Sequence, residues 1–91
     1  MDTYSLAVSQ IIKQQETIIG PLALDQAKKV TGLTIITIDR IKISGDAKEV
    51  LTSLVKQYEK LFGKASIEVC KDAIKEIKPK LPSEELPEIL R

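Results

Sequence analysis

Few side chains in this 91-residue sequence could do chemistry, and their absences narrow the choice. There is no histidine, which removes the commonest general base and the commonest transition-metal ligand. The single cysteine, Cys70, has no imidazole to activate it and no second thiol to share a zinc ion or form an internal disulfide. The glycines stand alone at 20, 32, 45 and 63, so no Gly-rich phosphate loop can be written through them. Lys, Asp, Glu and Tyr remain, at ordinary helix-surface spacings. No catalytic, metal-ligating or cofactor-binding residue is therefore expected, and a non-enzymatic role is.

The sharpest candidate for recognition chemistry is a helix-turn-helix over 24–41, the DNA-reading motif. There Gly32 would end a first helix, and Thr34 would cap a recognition helix presenting Thr37 and Arg40 to base edges. Three features oppose it. Lys28 occupies the position where the motif usually has Ala. Ile35 and Ile36 would be exposed where base-reading residues are polar. The first 45 residues hold five basic and four acidic side chains, so no basic face builds up.

The whole chain has a net charge of +1, with 43% apolar and 30% charged residues, a globular composition. No apolar run approaches the roughly 18 residues of a membrane span, and MDTYSLAVSQ lacks a basic segment followed by an apolar one. No membrane partner is expected, and a reducing cytoplasm is the expected location. The length fits one domain, residues 1–91.

An internal similarity at an offset of 43 residues organises the chain. IIKQQETIIGPLALDQAKK (11–29) aligns without gaps to LVKQYEKLFGKASIEVCKD (54–72). Lys13/Lys56, Gln14/Gln57, Glu16/Glu59, Gly20/Gly63 and Lys28/Lys71 are identical, and Ile11/Leu54, Ile12/Val55 and Leu24/Ile67 keep their character. Two amphipathic helices can resemble each other by chance, but a glycine at the same phase favours duplication. Each copy reads as helix, break, helix. Repeat one spans about 4–30, with Tyr4, Val8, Ile11, Ile12, Ile18 and Ile19 at helical spacing. Gly20 is expected in the left-handed position past a helix end, and Pro21 in the first turn of a second helix running to about Val30. Repeat two spans about 46–78. Asp46 and Glu49 suggest a capping box, and Gly63 marks either a bend or a passage through one long helix.

Between the copies, residues 33–44 are rich in Ile and Thr, whose branching favours strands. Ile36/Ile38 and Ile41/Ile43 alternate with polar neighbours, and the phase slips at Asp39-Arg40. This predicts either a short hairpin or one bulged strand. The arm 79–91 has three prolines, with Leu81, Leu86, Ile89 and Leu90 able to dock or fray.

The expected fold is thus α+β and mostly helical, two helix–break–helix units flanking a short β segment, arranged about a pseudo-two-fold axis. Two short strands are marginal in water, and an open edge invites pairing. A homodimer joined through Ile36, Ile38, Ile41 and Ile43 would answer this. The expected function is a protein-interaction or regulatory module, with the chain itself or another protein as partner. The alternatives are a DNA-binding regulator using Thr34, Thr37 and Arg40, and a sensor of a small apolar ligand held between the repeats.

Three further features have competing readings. Ile18, Ile19, Leu22 and Ala23 around Gly20-Pro21 form either a packed corner, the favoured reading, or a binding corner. Cys70 aligns with Ala27 and reads as a core thiol. Lys64, Lys71, Lys75, Lys78 and Lys80 interleave with Glu68, Asp72 and Glu76, a solvated face of weak ion pairs. The block IIGPLALDQA together with LPSEELPEIL resembles small uncharacterised Ile-Gly-Pro helical domains appended to bacterial signalling proteins. That resemblance implies a regulatory or interaction module without a known activity.

Overall fold

A computed structural model describes residues 2–91. The order is α1 (Thr3–Ile19), α2 (Leu22–Ala27), β1 (Leu33–Thr37), β2 (Arg40–Ile43), α3 (Ala47–Phe62) and α4 (Ala65–Lys75), then 3-10 turns at Ser83–Glu85 and Glu88–Leu90. The fold is mostly helical α+β with one two-stranded antiparallel sheet.

Each long helix opens on an aspartate. Asp2 accepts from the Ser5 N–H at 2.8 Å, and Asp46 accepts from Lys48 N–H at 2.9 Å and Glu49 N–H at 3.4 Å. These caps satisfy N–H groups that a helix start leaves without partners. Among the described residues, Glu49 makes no return bond, so only half of the expected capping box forms. Both long helices stop at a glycine. Gly20 (φ 66°, ψ −147°) donates to the Glu16 carbonyl, and Gly63 (φ 82°, ψ −177°) to that of Glu59. These angles lie outside the left-handed helical well expected from the sequence. They fall in an extended region that is essentially glycine's alone, and they swing the chain into the next helix. The second helix of each unit is shorter than expected. α2 ends at Ala27, not Val30, and α4 at Lys75, not Lys78, with single turns beyond.

The core lies between the two helical units. Along α1, Ala7, Val8, Ile11, Ile12 and Gln15 are buried. Along α3 the buried set is Val50, Leu51, Leu54, Val55 and Tyr58, the same five positions shifted by 43. Ala23, Ala27 and Val30 correspond in the same way to Ser66, Cys70 and Ala73. Two hydrogen bonds share this offset. Gln15 Nε2 crosses to the Ser66 carbonyl at 3.3 Å, and Tyr58 Oη crosses to the Ala23 carbonyl at 2.6 Å. Each unit's first helix therefore clasps the opening turn of the other unit's second helix.

The arm docks. Leu81 and Leu90 are buried, and Leu86 and Ile89 pack against the core. Tyr4 Oη donates to the Glu85 carbonyl at 2.8 Å, Lys48 Nζ donates to the Glu84 carbonyl, and Arg91 Nε folds back on the Ser83 and Leu86 carbonyls.

Candidate functional site

The β segment is a hairpin and contains a bulge. Leu33 pairs with Ile43, Thr34 with Lys42, Ile35 with Ile41 and Thr37 with Arg40, which leaves Ile36 as the extra residue. The turn falls at Ile38-Asp39. Strand side chains alternate faces, so the bulge decides which isoleucines meet the core. Leu33 and Ile41 are buried, Ile35 and Ile43 pack beside them, and Ile36 is 53% exposed.

The sequence reading of an Ile36/Ile38 face on the first strand is thereby corrected. The inward residues of β1 are Leu33 and Ile35, while Ile38 sits in the turn. Ile41 is likewise a core residue, so of the four isoleucines named for association only Ile36 stands out in solvent; Ile38 and Ile43 are half-buried.

The hairpin tip is tied to α1. Ser9 Oγ donates to the Ile38 carbonyl at 2.8 Å, and Lys13 Nζ lies 3.5 Å from Asp39 Oδ1. β2 lies against α1, which leaves β1 as the outer strand. Among the described residues, no main-chain hydrogen bond joins either strand to a third element. Leu33 N–H donates to the Val30 carbonyl at 3.2 Å; beyond it, among the described residues, the outer edge of β1 makes no main-chain hydrogen bond beside Thr34, Ile36 and Thr37, and no charged residue lies along the strand. β2 differs, for it exposes Arg40 and Lys42.

The helix-turn-helix geometry is not formed. Thr34 and Thr37 lie in β1 and Arg40 in β2, where a recognition helix would be required. The Ile and Thr run follows its β preference because branched side chains lose rotamer freedom in a helix. Between the two units the described residues pack closely. That space is filled by Tyr58, Ile11, Ile12, Leu51 and Leu54, all fully buried.

The corner at Gly20 divides. Ala23 is buried and Ile19 packs against the core, whereas Ile18 is 61% and Leu22 49% exposed. The corner at Gly63 also carries exposed apolar residues, Leu61 and Phe62, although their spacing continues the helical stripe of Val50, Leu51, Leu54, Val55 and Tyr58. Cys70 is buried beside Gln15 Nε2, and burial pushes its thiol up to about 11 despite that hydrogen bond. It stays a neutral thiol at pH 7. Tyr58 is raised further above its ordinary value, first by burial and then by the nearby Cys70 and Glu16. The lysines of α4 pair along the surface, Lys71 with Glu68 at 3.6 Å and Lys75 with Asp72 at 3.7 Å. Among the described residues no His, Cys, Asp and Glu cluster is placed to hold a metal ion, and no helix is long and apolar enough to cross a membrane.

Compared with protein-family models, with curated proteins and with solved structures, the chain matches none.

Proposed function

We propose that this chain is a non-enzymatic interaction module that self-associates through the outer edge of β1. One observation carries the reading: beyond Leu33 the edge is unpaired among the described residues, uncharged and flanked by the exposed, bulged Ile36. Natural sheet edges are usually guarded by charges, prolines or a covering element, and β1 carries neither a charge nor a proline. Pairing of β2 with its own copy would set Arg40 and Lys42 against like charges, which disfavours that edge. Antiparallel pairing of β1 with a second β1 joins two hairpins into a four-stranded sheet and removes two open edges at once. A regulatory setting accords with the Ile-Gly-Pro resemblance.

Sedimentation equilibrium from micromolar to millimolar concentration tests this. The expected mass approaches twice the 10.1 kDa of one chain, and Ile36→Lys returns it to a single chain. A single-chain mass for the unaltered protein across that range rules the proposal out.

A further inference from the structure

The backbone groups with which β1 can meet another strand follow from the alternation of an antiparallel pair. In such a pair, residues that bond across to the neighbouring strand alternate with residues that turn their N–H and C=O away from it. Ser44 N–H donates to the Gly32 carbonyl at 2.8 Å, so Gly32 is of the first kind. Thr34, two residues on and opposite Lys42, is of the same kind. Leu33, opposite Ile43, and Ile35, opposite Ile41, therefore face outward. The Leu33 N–H agrees, for it goes to the Val30 carbonyl and not to β2. Thr37 closes the turn opposite Arg40, and the extra residue Ile36 returns it to the inward kind. Up to the bulge, the free outward groups among the described residues are the Leu33 carbonyl and both the N–H and the carbonyl of Ile35.

We infer that two copies join with Ile35 directly opposite the partner's Ile35, a two-fold axis passing between them. This register rests on the β1 pairing proposed above and fixes which residues meet in it. Each Ile35 N–H donates to the partner's Ile35 carbonyl, so four groups pair and none of them is already engaged. Ile35 is the midpoint of Leu33–Thr37, and all five residues of one strand lie opposite five of the other. The competing axes each meet an obstacle. An axis at Thr34 sets the partner's Ile35 carbonyl against the Leu33 N–H, and an axis at Leu33 sets the partner's Leu33 carbonyl against it; that donor already serves Val30. An axis at Ile36 sets Ile35 against Thr37, which faces its own β2. With the axis at Ile35, Ile36 of each copy lies across from Thr34 of the other. Both side chains are exposed and uncharged, and two-fold symmetry covers each of them once.

Cross-strand neighbours that do not share main-chain hydrogen bonds stand close enough for a disulfide, and Thr34 with the partner's Ile36 is such a pair. The test mixes full-length Thr34→Cys and Ile36→Cys chains, one of them ¹⁵N-labelled, and oxidises them at a concentration where sedimentation shows the unaltered chain associated. Both positions are exposed and Cys70 is buried, so neither folding nor the native thiol is at stake. Mass spectrometry is expected to find the mixed disulfide in at least about fivefold excess over the two same-site disulfides together, where unguided contact gives equal amounts. A dominant disulfide between two Thr34→Cys chains, amounts near equality, or no disulfide at all overturns the register. If Ile36→Lys still returns the mass to a single chain, the β1 reading survives that result. An unaltered chain that never associates removes both.

Discussion

The first helical unit bends at Gly20 into a helix of six residues, and the second bends at Gly63 into one of eleven. Up to the bend they are close counterparts: an aspartate cap, five buried positions at a common offset, and a glycine whose N–H closes on a glutamate carbonyl. Past the bend they diverge. The short α2 hands the chain to a hairpin that lies on α1, whereas the long α4 runs on to an arm that lies on α3 and α4. The clasps differ too, Gln15 reaching its carbonyl at 3.3 Å and Tyr58 at 2.6 Å. The bend and the clasp are thus the common frame, while the elements that follow α2 and α4 cover the two long helices by different means.

The strongest way to break that comparison is at the core. Ile11→Ala and Leu54→Ala remove fully buried side chains at matching positions. Each should cost about 2–5 kcal/mol in urea unfolding, with the two values close to each other. A gap as large as either effect would show that the units do not share the load.

Next come the bends. An added Cβ meets nothing within 4 Å at Gly20 or Gly63, so Gly20→Ala and Gly63→Ala report backbone conformation alone. Each should cost about 1–3 kcal/mol, again nearly equal. A loss at one site only would mean that the bends are not equivalent.

The clasps should give the smallest and least equal effects. Tyr58→Phe leaves the Ala23 carbonyl without its 2.6 Å donor and should cost about 1–2 kcal/mol, more than Gln15→Met, whose bond is long. The tyrosine also sets a pH signature. In the folded chain Tyr58 and Cys70 ionise above their ordinary values of 10.0 and 9.0. The unfolded chain therefore loses those protons first, and stability, complete below about pH 9, falls as pH rises beyond it. Tyr58→Phe should make that alkaline fall in Tm shallower, leaving the contribution of Cys70.

The helices and the break at each glycine were legible from apolar spacing and from a glycine at one phase, whereas the clasps were not, for they join residues 51 and 35 apart in sequence. The strands were legible from branched side chains. The phase of β1 was not, for the bulge at Ile36 accompanies tip contacts from Ser9 and Lys13, about 25 residues away in sequence. The exposure of Leu61 and Phe62 was hidden for a similar reason. Helical spacing places them on the apolar stripe, but the chain turns away at Gly63 before anything covers them.

The last thirteen residues illustrate a division of labour between backbone and side chains. Tyr4, Lys48 and Arg91 all reach for peptide carbonyls at Ser83 to Leu86, and the carboxylates of Glu84 and Glu85 take no part in those bonds. The strap is fastened by its main chain, so the path it follows is insulated from the identity of those two acids. Substitution there can recolour the surface electrostatically, acidic to neutral or basic, while the fastening beneath stays as it is.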